Sequence, residues 1–235
     1  MEIKNSIALV TGANRGLGLA FTQALLAAGA AKVYAAARDP GSIVQSGVVP
    51  VRLDVTQGDQ VEAVARDLGD VTLLINNAGI SRGTSFLAAD GVEGLRAELE
   101  TNFFGPLLLS RAFAPVLSKN GGGAIVNVLS VLSWISAPAF ETYCASKAAA
   151  WSLSNGLRNS LQEHGTQVLS LHVGLMETDM ARHLDAPKSK PQDVVAQVLA
   201  ALEAGKSEVL ADEASRLVKQ GLAADPGVYL QPLTA

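Results

Sequence analysis

The 235-residue chain reads as one α/β domain: a doubly wound, seven-stranded parallel sheet with helices on both faces. Three observations predict this. Apolar runs of strand length alternate along the chain with longer helical patterns. The strand segments are continuously apolar, as strands buried on both faces are. The length and a hydrophobic content of 49% suit one large core, and no repeat, low-complexity tract or linker divides it.

Each element has its own signal. SIALVTG opens the sheet; the helical stretch GLGLAFTQALLAAG follows and stops at Gly29. KVYAAAR is the second strand and VVPVRLDV the third. The residues between them, RDPGSIVQSGV at 38–48, are too few for a full helix, so that crossover is abbreviated. QVEAVARDL is helical and VTLLINNAG is the fourth strand. VEGLRAELETNFFGPLLLSRAFAPVLSK is a long helix with a bend expected at Gly105-Pro106. GAIVNVLS is the fifth strand, TYCASKAAAWSLSNGLRNSLQEH a second long helix, and QVLSLHVG the sixth strand. PQDVVAQVLAALEAG is helical, SEVLA is a short seventh strand, and DEASRLVKQGLA is the last helix. The tail after Gly221, LAADPGVYLQPLTA, has no period and receives no assignment.

Composition excludes several function classes. The net charge is -4 and no basic run occurs, so no nucleic-acid or anionic-membrane surface is expected. The lone Cys144 has no partner for an intrachain disulfide. His164, His172 and His183 lack ligand spacing, so no metal site is expected. The N-terminus runs into a strand without a signal-like segment, and no apolar run reaches the roughly 18 residues of a membrane span. A cytoplasmic protein is the expectation.

The first strand ends in TGANRGLG, with Gly12, Gly16 and Gly18 spaced G-x-x-x-G-x-G. Glycines there let the backbone turn tightly and approach a pyrophosphate at the positive end of the following helix. About 20 residues on, an NAD site carries an acid for the ribose diol. Arg38 stands there instead, and Arg15 sits inside the glycine turn. Two guanidinium groups suit a 2′-phosphate, which favours NADPH over NADH. Asp39, one residue later, is the competing feature.

Taken in order, these motifs resemble those of the short-chain dehydrogenases/reductases, over nearly the whole chain. TGANRGLG matches the family's TGxxxGxG; LDV at 53–55, NNAG at 76–79, TNFFG around Asn102, VNVLS ending in Ser130, and YCASK at 143–147 follow at the family's spacings. The resemblance implies a Rossmann-type fold and an NADP(H)-binding reductase of ketones or aldehydes. It assigns the dinucleotide to Gly12, Asn14, Arg15, Gly16, Leu17, Gly18, Arg38, Asp54, Val55, Asn76, Ala78, Gly79, Gly174, Met176 and Thr178, with Tyr143 and Lys147. Residues 1–130 would mainly bind cofactor, and 130–235 would supply the chemistry and substrate contacts. Family members often form homodimers or homotetramers through the two long helices.

The catalytic set implied is Asn102, Ser130, Tyr143 and Lys147. Tyr143 and Lys147, four residues apart, share a helix face. A free tyrosine has a pKa of about 10, and a neighbouring ammonium is expected to lower it. Tyr143 would then exchange a proton with a carbonyl oxygen, Ser130 would hydrogen-bond that oxygen, and Asn102 would hold a water linked to Lys147. Ser133 is the alternative to Ser130. Val173 replaces the family's Pro before Gly174, which leaves the path of Leu175 and Met176 less defined. The polar segment ARHLDAPKSKP is expected to form a short lid over an open pocket lined by Ser130, Trp134, Phe140, Leu175 and Met180. Trp134 either lines that pocket or packs, Cys144 is a buried filler, and His172 a core residue. Reduction of a specific acyl, steroid, sugar or imine substrate is the second reading. A regulator that senses NADPH without turnover is a third, of another class.

Overall fold

The computed structural model describes residues 1–231; the last residues of the unassigned tail, 232–235, lie outside it. Among the described residues, seven strands and seven α-helices follow one another along the chain. They are β1 (Ile7–Thr11), α1 (Gly16–Ala27), β2 (Lys32–Ala37), β3 (Val49–Arg52), α2 (Gly58–Asp67), β4 (Leu73–Asn76), α3 (Gly91–Leu99), α4 (Gly105–Lys119), β5 (Gly123–Val128), α5 (Glu141–Leu161), β6 (Thr166–His172), α6 (Pro191–Glu203), β7 (Glu208–Leu210) and α7 (Glu213–Gly221). Every strand pair is parallel, in the order β3-β2-β1-β4-β5-β6-β7. The order reverses between β1 and β4, and that switch point at the carboxyl ends of the strands is where doubly wound sheets bind ligands.

Both faces of the sheet are dry. Ala8, Val10, Leu73, Ile75, Val126 and Leu171 point to a layer containing Phe21 and Leu25 of α1 and Val194 and Val198 of α6. Their neighbours Leu9, Leu74, Ile125 and Val168 point to Val61 of α2, to Leu109, Phe113 and Leu117 of α4, and to Leu161 of α5. Strands buried on both sides need apolar residues at every position, which is why the sequence shows runs and not alternation. The abbreviated crossover is present as a single 3-10 turn, Pro40–Ser42, capped by the Asp39 carboxylate.

The long predicted helix before β5 is two helices, α3 and α4, joined by a five-residue π-turn at Glu100–Phe104. Gly105 lies at the junction because a Cβ there would come within 2.9 Å of Val55 Cγ2. Wide turns of this kind are frequent at functional sites, and this one displays Asn102. No helix among the described residues is long and apolar enough to cross a membrane.

Candidate active site

Helix α5 meets the carboxyl end of the sheet along a stripe of small residues. Thr142, Ser146, Ala150 and Ser154 recur every fourth position and are all buried. Each hydroxyl engages a different element. Thr142 Oγ1 donates to the Thr84 carbonyl at 3.0 Å. Ser146 Oγ accepts from Asn102 Nδ2 at 2.9 Å, and Ser154 Oγ accepts from Asn127 Nδ2 at 2.9 Å. The tight seating brings Tyr143 and Lys147 to the ends of β4 and β5. Lys147 Nζ donates to the Val128 carbonyl at 2.8 Å and lies 5.6 Å from the centre of the Tyr143 ring. Space for the ammonium comes from Gly79, where a Cβ would stand 3.7 Å from Nζ and 3.1 Å from Asn102 Oδ1.

Ser130 follows β5 and caps a 3-10 turn at Val131–Ser133. Its Oγ accepts from the Leu132 N–H at 3.1 Å, which leaves the hydroxyl proton free to donate. Ser133 is the other half of this capping box: its Oγ accepts from the Ser130 N–H at 3.3 Å. Ser133 is therefore occupied in holding the turn, and Ser130 is the serine beside Tyr143. Asn102 clasps one residue at both ends, accepting from the Ile80 N–H and donating to the Ile80 carbonyl, each at 2.9 Å. Its side chain thus fixes the loop after β4.

Ionisation departs from the sequence expectation. Burial pushes the Tyr143 phenol above its usual 10, and the neighbouring Ser130 recovers only part of that shift. Burial also lowers Lys147, from 10.5 to about 8. The expected lowering of the Tyr143 pKa by an ammonium is thus reversed in this structure. The reason is that both groups are taken out of water, which disfavours the charged form of each. Near neutral pH Tyr143 is a phenol, in the protonation state of a proton donor.

The glycine turn forms a cradle at the switch point. Gly12 has φ +64°, and Gly18 passes so close to the Gly12 carbonyl that a Cβ would lie 2.2 Å from its oxygen. The first turn of α1 holds no acidic residue and no side chain caps it, so its N–H groups face outward with their partial positive charge. Asn14 is part of this turn; Leu17 sends its side chain into the core and offers only its backbone. A cavity of about 360 Å³ lies beside Gly16 and is lined also by Glu177, Thr178, Asp179, Arg182 and Lys188. Arg38 is exposed at the end of β2, and Asp39 spends its carboxylate on the Gly41 N–H at 3.0 Å. Arg15 makes a long, exposed ion pair with Asp179 at 3.5 Å, a contact that releases easily. Asp54 caps its own loop through Thr56, and Val55 is packed against Gly105.

Several placements differ from the sequence reading. Asn76 is buried, and its amide donates to Asn127 Oδ1 at 2.8 Å and to Ser110, so it ties β4 to β5 and α4 instead of facing the cradle. The next residue, Asn77, which the sequence reading passed over, does the local work: its amide donates to the carbonyls of Thr11 (2.8 Å) and Gly12 (3.2 Å). Thr11 Oγ1 in turn accepts from the N–H groups of Asn77 and Ala78. Trp134 packs: its ring stacks on His172 at 3.8 Å and meets Trp151 edge-on. Phe140 and Leu175 are partly exposed and Met180 is exposed, which leaves them available to a ligand. Cys144 is a buried filler whose sulfur accepts from the Ala137 N–H.

The turn at Val173-Gly174 is held without proline. The Val173 carbonyl accepts from Val131 N–H, and the Gly174 N–H donates to Asp212 Oδ2 at 2.5 Å. Met176 pairs with Ser189, closing the base of the polar segment, and Thr178 faces Gly16. Asp212 had no signature in the sequence beyond its place at a helix N-cap, and Ser146 and Ser154 only their spacing. Among the described residues no cluster of three His, Cys, Asp or Glu side chains is placed to hold a metal ion.

Comparison with known proteins shows the family. The family described as short chain dehydrogenase matches residues 6–189. A short-chain dehydrogenase from Burkholderia cenocepacia, solved in complex with NADP, is 44% identical, with 96% of each chain covered and a TM-score of 0.92. The NADPH-bound carbonyl reductase from chicken fatty liver is 30% identical over 85% of this chain and 91% of its own, with a TM-score of 0.75. The 3-oxoacyl-(acyl-carrier-protein) reductase FabG of Salmonella typhimurium is 30% identical over 98% of this chain and 100% of its own. The chain belongs to the short-chain dehydrogenase family of oxidoreductases.

The lysine generates a stability prediction. Between pH 8 and 10.5 the unfolded chain keeps the Lys147 proton that the folded chain has released, so this group makes stability rise with pH across that window. Below pH 8 the buried cation costs up to about 3 kcal/mol. Above pH 10 tyrosine ionisation in the unfolded chain opposes the gain. Lys147→Met should therefore be roughly 1–3 kcal/mol more stable than the parent at pH 7 and should lose the rise between pH 8 and 10. Urea unfolding at several pH values measures both.

Proposed function

We propose that the chain is an NADP-dependent reductase of a ketone or aldehyde. One observation carries the reading: the Tyr143 phenol, the Lys147 ammonium and the free Ser130 hydroxyl converge at the carboxyl end of the sheet, next to a glycine turn packed too tightly for a Cβ at Gly12 or Gly18. That turn suits a pyrophosphate, and exposed Arg38 and Arg15, with Asp39 accepting from the Gly41 N–H, suit a 2′-phosphate. The two solved relatives that carry NADP or NADPH support the same choice.

Gly12, Gly16 and Gly18 would hold the dinucleotide by the backbone, Thr178 would reach it from the lid, and Lys147 its ribose. When bound, the dinucleotide supplies the hydride. The rest is done by the chain. Ser130 donates a hydrogen bond to the substrate oxygen and holds it against the Tyr143 hydroxyl. Tyr143, kept protonated by burial, gives its proton to that oxygen as negative charge develops there. Lys147, held by Val128, carries the positive charge that compensates the tyrosinate left behind. Asn102 keeps the Ile80 loop in place beneath them. Run in reverse, the same groups would take the proton from an alcohol whose hydride passes to the oxidised dinucleotide. Phe140, Leu175 and Met180 are the side chains we assign to the substrate.

A second reading follows from the full-length likeness to 3-oxoacyl-(acyl-carrier-protein) reductase, namely a ketone carried on an acyl chain. Both are tested by NADPH oxidation against a panel of aldehydes, ketones, diketones and 3-oxoacyl thioesters. Tyr143→Phe should lower kcat by about 10²–10⁴-fold while NADPH still binds. Binding of NADPH without turnover of any panel member would favour a sensor instead. Arg38→Ala should raise the KM for NADPH about tenfold or more and leave that for NADH within twofold. Equal effects on the two cofactors would remove Arg38 from 2′-phosphate recognition.

A further inference from the structure

His172 ends β6 and is fully buried, with the Glu208 carboxylate as its nearest charged group. Its Nδ1 lies 3.2 Å from the carbonyl oxygen of Ser130. A carbonyl oxygen only accepts, so Nδ1 carries the proton and Nε2 is the bare nitrogen. Nε2 has no hydrogen-bond partner and stands 3.7 Å from Glu208 Oε1, another acceptor. The ring also stacks on Trp134 at 3.8 Å, with an interplanar angle of 17°. Trp134 is the C-terminal cap of the turn that Ser130 begins. One imidazole therefore grips the serine turn at both ends, by a hydrogen bond at Ser130 and by stacking at Trp134.

Nothing about the fold asks for this residue. Its neighbours Leu171 and Val173 are aliphatic, and an aliphatic side chain would fill the position without an unpaired nitrogen. Burial disfavours the charged ring and holds the histidine down at about 4, so it stays neutral through the working range. The outer face of Trp134 is covered by Lys219, whose Nζ is 4.9 Å from the ring and 3.0 Å from Glu208 Oε1. The stack is thus sealed from α7, and the bond to Ser130 points straight at the active site.

We propose that His172 is a positioning residue for Ser130: its Nδ1–H holds the Ser130 carbonyl, and its ring, braced on Trp134, sets the turn that aims the Ser130 hydroxyl. The proposal rests on the reading of Ser130 as the residue that contacts the substrate oxygen. A pair of variants separates the two. Ser130→Ala tests that reading, and an unchanged kcat would sink it. His172→Leu tests the positioning role. It should lower kcat by about 10- to 100-fold with the KM for NADPH within about twofold. In the Ser130→Ala background the same change should cost nothing further, because the hydroxyl being aimed is gone. His172→Asn, whose amide nitrogen takes the place of Nδ1 but which has no ring to stack on Trp134, should restore part of the loss. A two-bond ¹H–¹⁵N spectrum of the intact chain should show His172 as the neutral Nδ1-protonated tautomer, a readout that needs no turnover. A His172→Leu enzyme that folds and keeps its kcat, an equal loss in the Ser130→Ala background, or an Nε2-protonated ring would overturn the proposal.

Discussion

The seating of α5 on the sheet is the constraint on which the site depends. Three hydroxyls, at Thr142, Ser146 and Ser154, fasten this helix to the loop after β4, to the π-turn and to β5. Bulkier residues on that stripe would lift the helix and withdraw Lys147 from the Val128 carbonyl. The polar column Asn76–Asn127–Ser154 extends the same fastening through the sheet, with only Asn76 Oδ1 in it left without a partner. Buried polar groups joined in this way specify one arrangement, since each is costly to leave unpaired. The π-turn then makes sense as geometry: it places Asn102 between the Ile80 backbone and Ser146, so one side chain ties the loop to the helix.

That seating sets the electrostatics. It takes Tyr143 and Lys147 out of water together, and desolvation is the main cause acting on each. The result is a phenol that keeps its proton and an amine that gives its proton up sooner than a surface lysine. The reduction proposed above needs a tyrosine that starts as an acid, and this protonation state matches it. The arrangement costs folding stability for as long as the cation stays buried, an example of a site that is not optimised for the fold.

Much of this was legible in the sequence. Continuous apolar strands alternating with helical stretches define a doubly wound sheet because both faces are dry, and the seven strands stand where those runs do. The tyrosine–lysine spacing and the glycine turn were equally plain, since each rests on local geometry. What depended on neighbours distant in sequence was not. Whether Asn76 or Asn77 faces the cradle follows from strand pleat and from Thr11, 66 residues away from Asn77. The direction of the Tyr143 shift follows from burial, which spacing cannot report. His172 read as a core residue and is one, but its bond to Ser130 joins β6 to the turn after β5, a contact only the sheet order creates.

The balance between burial and the ammonium is the point on which the account stands, and the phenol itself reports it. The chain has three tyrosines, so the difference in phenolate absorbance between the parent protein and Tyr143→Phe, followed across alkaline pH, isolates one of them. A midpoint for Tyr143 above the usual value of about 10 would show that desolvation governs the site. A midpoint below that value would show that the lysine charge prevails and that Tyr143 is tuned toward the base.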